Sequence, residues 1–267
     1  MRNIRFSILI VTLNAEKEIQ ITIESICKQI YKNYEVIVKD GNSEDKTLYY
    51  VPNDVRFRIV KEKDNSVYDG MNQAIQLARG EFLLFLNAGD YLYNQNVLQQ
   101  INEYINNREI DIPCVLYGNY SRGGEYIQNQ KRILTNFLLY RRPLCHQSMF
   151  YHRDIFKQGE QYNIDYKISA DHDLTLRLWK QKIPFYHTGL VVCQYRGGGL
   201  SETVLGLALA KKEKKQIQRN YYSRIERLKY DAIILFSFAC FRSWIDSQKS
   251  PAFLRDMYRA IRNCLFK

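Results

Sequence analysis

One carboxylate closes an apolar run. Residues 81–93 read EFLLFLNAGDYLY: six of the seven residues from Phe82 to Ala88 are apolar, the seventh is Asn87, and Gly89 and Asp90 follow at the tip. A second group of polar side chains lies in KDGNSEDKT (39–47). There Asp40 and Asp45 can accept hydrogen bonds from a nucleobase N–H and from ribose hydroxyls. The same residues also describe a plain polar turn with a helix cap, and the local pattern alone leaves both open. A third group opens the stretch ADHDLTLRLWKQ (170–181), where Asp171, His172 and Asp173 stand together. His172 and His187 are candidate metal ligands, although a lone histidine is more often packed or solvated. His146 and Gln147 are polar residues at the start of a strand-like segment. No G-x-G-x-x-G follows the first apolar run and there is no Walker lysine motif, which argues against a dinucleotide-binding domain or a P-loop.

These residues need elements to hold them. Residues 6–13, FSILIVTL, are a continuous apolar run rich in β-branched residues, of the kind found in parallel strands covered on both faces. Ile19, Ile23, Ile26 and Ile30 then recur at helical spacing. YEVIVKD (34–40) reads as a second strand, SEDKTLYY (43–50) as a short helix with Ser43 as N-cap, and RFRIV (56–60) as a third strand. Residues 66–80 predict a helix with Met71, Ile75 and Ala78 on its inner face and Gly80 as its C-terminal stop. The stretch at 81–93 is then a fourth strand. Strands alternating with helices predict βαβ units, and such sheets bind ligands beyond the carboxyl ends of their strands. Those ends are Thr12–Asn14, Asp40–Asn42 and Asn87–Asp90, which puts Asp90 on the ligand rim. Further on, the sequence predicts a hairpin around SRGG (121–124), a strand leading into a helix at 146–156, and an amphipathic helix at 170–181. A long strand or strand pair at 183–196 follows, and the glycines 197–199 end the compact region.

The chain has 267 residues, enough for one large α/β domain with an appendage. Its six cysteines are widely spaced with no C-x-x-C pair, which fits a reducing compartment rather than a disulfide framework or zinc site. The opening residues run straight into a strand-like pattern and show no secretory signal. The formal charge of +11 is uneven: residues 200–267 carry 14 Lys/Arg against 6 Asp/Glu. A basic tail suggests an anionic partner surface, with nucleic acid the first guess and a membrane the second. Nothing but charge supports nucleic acid, since no RNA-binding or helix-turn-helix signature accompanies it.

SILIVTLNAEKEIQITIESICKQIYKNYEVIVKDGNSEDKT closely resembles the N-terminal signature of family 2 glycosyltransferases. NSVYDGMNQAIQLARGEFLLFLNAGDYL resembles their next block, and CHQSMFYHRDIF and YKISADHDLTLRLW resemble their acceptor-side blocks. The resemblance runs in order across roughly residues 4–196. It implies a GT-A fold, a Rossmann-like and mostly parallel sheet flanked by helices, that binds a nucleoside-diphosphate sugar (usually uridine-based) with Mn²⁺ or Mg²⁺. On this reading residues 1–199 are the catalytic domain, with 1–92 for the nucleotide sugar and 93–199 for the acceptor. Residues 200–267 are a basic, helical tail.

By the same resemblance Thr12, Asn14 and Glu18 line the nucleotide pocket. Asp40 binds the base, with Gly41, Asn42 and Ser43 in the following turn. Asn87, Ala88 and Gly89 lead to Asp90, which matches the metal-binding acid of the so-called DXD site. Gly89 stands where relatives usually carry a further acid, so one carboxylate is expected to hold the metal, as Mg²⁺ often allows. The family inverts the anomeric centre, and its base is the second residue of an E-D pair; here the pair reads Ala170-Asp171, which singles out Asp171. Asp173 is the rival, with a first-turn acid complementing the helix dipole as its plainer role. His146 and Gln147 match an acceptor-side block.

The tail combines KKEKKQIQRNYYSRIERLK (211–229) with the apolar AIILFSFACF (232–241). Ten residues cannot span a bilayer. They suit either a helix packed on the domain or an interfacial helix on anionic lipid. The resemblance favours a peripheral cytoplasmic enzyme of bacterial surface-polysaccharide synthesis, acting on a glycan or polyprenyl-diphosphate-linked acceptor and not on nucleic acid. A sugar nucleotidyltransferase of similar fold would need a Gly-rich basic loop after the first strand, and TLNAEKE lacks one.

Overall fold

The structure, a computed structural model, describes residues 4–124 and 126–237 and positions 251, 253, 254, 256, 257 and 260. The strands are β1 (Phe6–Thr12), β2 (Tyr34–Asp40), β3 (Phe57–Lys61), β4 (Phe82–Phe85), β5 (Tyr91–Leu92), β6 (Val115–Arg122), β7 (Tyr126–Gln128), β8 (Met149–His152) and β9 (Phe185–Tyr195). The helices are α1 (Ile19–Cys27), α2 (Val67–Leu77), α3 (Val97–Asn107), α4 (Asn136–Arg141), α5 (Arg153–Lys157), α6 (Ala170–Lys180), α7 (Val204–Tyr221) and α8 (Arg224–Ser237). The sheet order is β3-β2-β1-β4-β8-β6-β9-β5, with β7 paired to β6.

The parallel expectation holds where the βαβ pattern was clear: β1 pairs in parallel with both β2 and β4, and β2 with β3. Beyond β4 the sheet is mixed. β8 runs antiparallel to both β4 and β6, while β9 returns parallel to β6. Alternate side chains of the strands enter opposite cores, as the period of two requires. Leu9, Ile37, Phe85, Tyr117 and Tyr151 pack toward α2, α6 and α7, and Ile8, Val36, Leu84, Leu116 and Phe150 pack toward α1 and α3.

Several local readings change. The strand at 82 stops at Phe85, and Asn87–Asp90 is a turn closed by Asp90 N–H donating to the Asn87 carbonyl at 3.0 Å. Tyr91–Leu92 then joins β9 at the far edge of the sheet. Ile30 falls past the end of α1 and is half exposed. Residues 47–50 form a single 3₁₀ turn that Ser43 does not cap, because its hydroxyl is spent on Asp40. Gly80 does not stop α2 by a left-handed turn. A Cβ there would lie 2.5 Å from the Ser7 backbone nitrogen, so glycine permits close approach to β1. Residues 185–195 are one long strand with a register shift near Asn119.

The compact region does not end at the glycines. Ile217 and Tyr222, from α7 and its end, are buried in the core shared with β1 and β4. Part of α8 joins them: Tyr230 and Ile234 pack on this core, and Asp231 accepts a 2.6 Å hydrogen bond from Tyr140. Residues 238–241 of the apolar tail segment lie outside the described residues.

Candidate active site

Two polar clusters form at the carboxyl ends of β2, β1 and β4, three adjacent strands. The first is built on Asp40, which is fully buried at the end of β2. Its carboxylate accepts the Ser43 N–H at 2.8 Å and the Ser43 hydroxyl, and the Ser43 oxygen in turn accepts the Asn14 N–H at 2.9 Å. Asn14 Oδ1 accepts the Glu44 N–H at 3.0 Å, and the Gly41 N–H reaches the Thr12 carbonyl at 2.9 Å. The loops after β1 and β2 thus clasp each other, with Asn14 and Asn42 at positive φ of 49° and 72°. Asn42 is exposed at the clasp, and Thr12 Oγ1 is buried with no hydrogen-bond partner among the described residues. A carboxylate has about four lone-pair sites, so Asp40 keeps acceptor capacity beyond Ser43.

Behind this turn lies a pair that the sequence reading missed. The fully buried Lys39 ammonium meets the Asp64 carboxylate at 2.9 Å, and a Cβ on Gly41 would sit 3.0 Å from Asp64 Oδ2. Lys39 also donates to the Glu62 carbonyl. The pair ties the loop after β3 beneath the turn. A lysine inside an apolar strand was its one visible signal.

The second cluster surrounds Asp90, 5% exposed. Its Oδ2 accepts the Gln147 side-chain amide at 2.9 Å and its Oδ1 accepts the Arg196 backbone N–H at 2.9 Å. Burial pushes this carboxyl above the ordinary range, against the two hydrogen bonds. Thr22 holds the turn from α1: its hydroxyl accepts the Gly89 N–H at 2.9 Å and donates to the Asp90 carbonyl at 2.7 Å. Asn87 Nδ2 lies 3.3 Å from His146 Nε2, and His146 Nδ1 is buried with no partner among the described residues. Ala88 is half-buried between Asn87 and Gly89. Gly89 has φ +98°, so the position that lacks the expected acid also has a backbone that L residues rarely adopt. A Cβ there would make only ordinary contact with Glu18, 3.5 Å away, and would lie 3.9 Å from Arg196 Cδ. Arg196, exposed beside this turn, was not singled out by any motif.

Asp171 is the second residue of α6 and is half-buried. Tyr68 of α2 approaches it: the buried hydroxyl donates to the Ile168 carbonyl at 2.6 Å and lies 3.4 Å from Asp171 Oδ1. Burial, then the nearby Asp171 charge, hold the Tyr68 phenol well above its ordinary pKa. Asn72, one turn further along α2, exchanges two 2.9 Å bonds with the Tyr162 backbone. The YDGMN run therefore fastens α2 to the segment before α6.

The other candidates have different partners. Asp173 accepts the Tyr221 hydroxyl at 2.9 Å and lies 3.8 Å from Arg177, in the contact between α6 and α7 rather than beside Asp90. His172 is buried with Nε2 2.7 Å from the Leu139 carbonyl, and His187 Nε2 faces Asn119 Oδ1 at 3.2 Å. Burial lowers the pKa of both imidazoles. Among the described residues no three His, Cys, Asp or Glu side chains group to hold a metal. What the Asp90 cluster offers a metal is one carboxylate, with the Asn87 and Gln147 amides and the His146 ring around it. A single carboxylate is compatible with Mg²⁺ or Mn²⁺ when substrate oxygens and water complete the shell.

Comparison with known proteins identifies the class. The description "Glycosyl transferase family 2" matches residues 7–190, and the chain belongs to that family. It is similar to a PGL/p-HBAD biosynthesis glycosyltransferase of Mycobacterium bovis, 33% identical over 214 residues, covering 75% of this chain and 80% of the relative. It is also similar to the Escherichia coli UDP-Glc:alpha-D-GlcNAc-diphosphoundecaprenol beta-1,3-glucosyltransferase WfgD, 32% identical over 142 residues, covering 50% and 54%. Among solved structures, S. aureus TarS in complex with UDP-GlcNAc has TM-score 0.67 at 18% identity, covering 96% of this chain and 79% of that one. Mannosyltransferase PcManGT from Pyrobaculum calidifontis, in complex with GDP-Man and Mn²⁺, has TM-score 0.57 at 14% identity, covering 98% and 88%. The fold is GT-A, and the protein is a glycosyltransferase.

Proposed function

We propose that this glycosyltransferase moves a sugar, with inversion, from a uridine-diphosphate sugar to a hydroxyl of a glycan or polyprenyl-diphosphate-linked glycan. The observation that carries this reading is the pair of buried carboxylates, Asp40 and Asp90, at the rim formed by three adjacent strands of a family 2 chain. Asp40 has acceptor capacity for a base N–H, and the unspent Thr12 hydroxyl faces no competitor among the described residues. Asn14, Glu18, Gly41, Asn42 and Ser43 shape the nucleotide side, and Asn87, Ala88 and Gly89 the diphosphate side. The WfgD name supports uridine and a lipid-linked acceptor.

Asp90 would hold a divalent cation, Mn²⁺ or Mg²⁺, with Asn87 and Gln147 nearby; when bound, it neutralises charge on the departing diphosphate. Asp171 takes the proton of the acceptor hydroxyl as that oxygen bonds to the anomeric carbon. The bond from the anomeric carbon to the diphosphate oxygen breaks with its electron pair, releasing the nucleoside diphosphate. His146 and Gln147 stand on the acceptor side, and Tyr68 holds the backbone before Asp171 in place.

The acceptor class fits a peripheral location at the cytoplasmic face of a membrane. Val204 and Leu205 are 85% and 83% exposed at the start of α7, and exposed Lys211, Lys212 and Lys215 follow on the next turns. An apolar edge backed by lysines suits anionic lipid. No described helix is long and apolar enough to cross a membrane.

A thermal-shift screen of UDP-, GDP- and dTDP-sugars with and without Mn²⁺ tests the donor, and NMR of the product tests inversion. A GDP-sugar preference, or a retained anomeric configuration, would overturn those parts of the reading. Asp171→Asn is expected to abolish transfer, and activity surviving it removes the base.

A further inference from the structure

The geometry points to Glu213, on the helix beyond the glycine run, as the residue that positions Asp171. Its carboxylate is 5% exposed and meets no cationic side chain among the described residues. Instead it accepts three consecutive backbone N–H groups: Lys167 to Oε1 at 2.7 Å, and Ile168 and Ser169 to Oε2 at 3.1 and 2.9 Å. Three successive amides turned onto one point make an anion-binding concavity. Here the anion comes from the chain itself, 44 to 46 positions away in sequence.

Those amides immediately precede α6, and Asp171 is its second residue. The Ser169 carbonyl accepts the Asp173 N–H at 3.0 Å, the first bond of the helix. The Ile168 carbonyl takes the Tyr68 hydroxyl at 2.6 Å. The backbone at 168 is therefore clamped from both sides, by Glu213 through its N–H and by α2 through its oxygen. Ser169 supplies no side-chain cap to α6; within the first turn, Asp171 Oδ1 accepts the His172 N–H at 2.8 Å. Bonds from N–H groups to an ionised acceptor are the strong kind. Displacement of a reacting group by about 1 Å can cost on the order of 100-fold in rate. Glu213 thereby makes α7 part of the catalytic apparatus without touching substrate.

The inference rests on Asp171 being the base. The test uses the full chain, UDP as binding probe, and Mn²⁺-supported hydrolysis of whichever of UDP-glucose or UDP-N-acetylglucosamine shifts its melting. Glu213→Gln keeps the side-chain size but turns an NH₂ onto N–H donors. It is expected to lower kcat about 10- to 100-fold while UDP affinity and donor KM stay within about twofold. Glu213→Asp, which keeps the charge at shorter reach, is expected to lose less. Ile217→Val loosens the same helix one turn on and is expected to keep kcat. The proposal fails if kcat of both Glu213 variants stays within twofold of the parent, or if Ile217→Val lowers kcat as much. Asp171→Asn run alongside separates the two ideas. If it is inactive and Glu213→Gln is not impaired, positioning by Glu213 is wrong; if it stays active, the base assignment is wrong and this role goes with it.

Discussion

Asp90→Asn separates chemistry from stability at the buried carboxylate. The change keeps side-chain shape and removes the charge. Oδ1 and Oδ2 of Asp90 each accept one N–H, from Arg196 and from Gln147. The asparagine oxygen can keep one of these, while its NH₂ faces the other donor. The lost bond costs about 1–3 kcal/mol. Against that, the variant no longer buries a charge, and burial is what raises the Asp90 pKa. The two effects oppose, so net stability at neutral pH is expected to change by no more than about 2 kcal/mol. The sign can be followed with pH. A carboxyl whose pKa is raised in the folded state binds its proton more tightly there than in the unfolded chain. Its charged form therefore destabilises the fold, and the penalty grows as pH rises from about 3.8 through the raised value. The stability of the parent relative to Asp90→Asn should fall across that window in metal-free buffer. Urea unfolding of both proteins at a series of pH values rising from about 3.5 reads this difference. Mn²⁺-supported donor turnover should meanwhile drop by about three orders of magnitude, as expected when several kcal/mol of transition-state stabilisation is removed. A variant that turns over within tenfold of the parent, or a stability difference that widens with pH in the parent's favour, refutes the reasoning.

Other outcomes follow from single contacts. Gly89→Ala meets no clash at Glu18 but forces a side chain onto φ +98°, so it should cost about 1–3 kcal/mol in urea unfolding. Gly80→Ala drives a Cβ to 2.5 Å from the Ser7 backbone and should cost more than Gly89→Ala in the same assay. Tyr68→Phe leaves the Ile168 carbonyl without its 2.6 Å donor and should lose about 1–3 kcal/mol. Val204→Gln combined with Leu205→Gln should weaken cosedimentation with vesicles rich in phosphatidylglycerol, with little effect on UDP binding; undiminished sedimentation counts against the α7 edge as a lipid contact.

The first half of the fold was legible because its signals are local. The apolar β-branched runs at 6–12 and 34–40 need only a period and a boundary to be read as strands. The site's connectivity was less visible. Ser43 looks like a helix cap on spacing alone, and only the loop folding back onto β1 shows that Asp40 claims its hydroxyl. Asn87–Asp90 reads as the end of the strand at 82, but nothing local shows that Tyr91–Leu92 beyond it pairs with the distant β9. Asp90 finds Gln147 and Arg196 across 57 and 106 positions, where no periodicity reaches. The mixed half of the sheet follows the same rule, since antiparallel β8 is set by tertiary pairing rather than by its own residues. The glycine run 197–199 resembled a boundary, but Glu213 and Ile217 beyond it are buried against the earlier core.

The span between Asp90 and Arg196 also bears on how the protein matures. Thr22 of α1 holds the turn that carries Asp90, but the carboxylate gains its Oδ1 partner only when the end of β9 arrives, and β5 pairs with residues 193–194 of that same strand. Closing so long a loop carries an entropic cost that local contacts do not, and contacts of high sequence separation form slowly. During synthesis the β1–β4 unit can pair well before β9 leaves the ribosome, yet its key acid stays without its Oδ1 partner until then. The order of synthesis therefore divides the rim in time: its strands are built early, and the acid at their tip gains its Oδ1 partner only once residue 196 has been made.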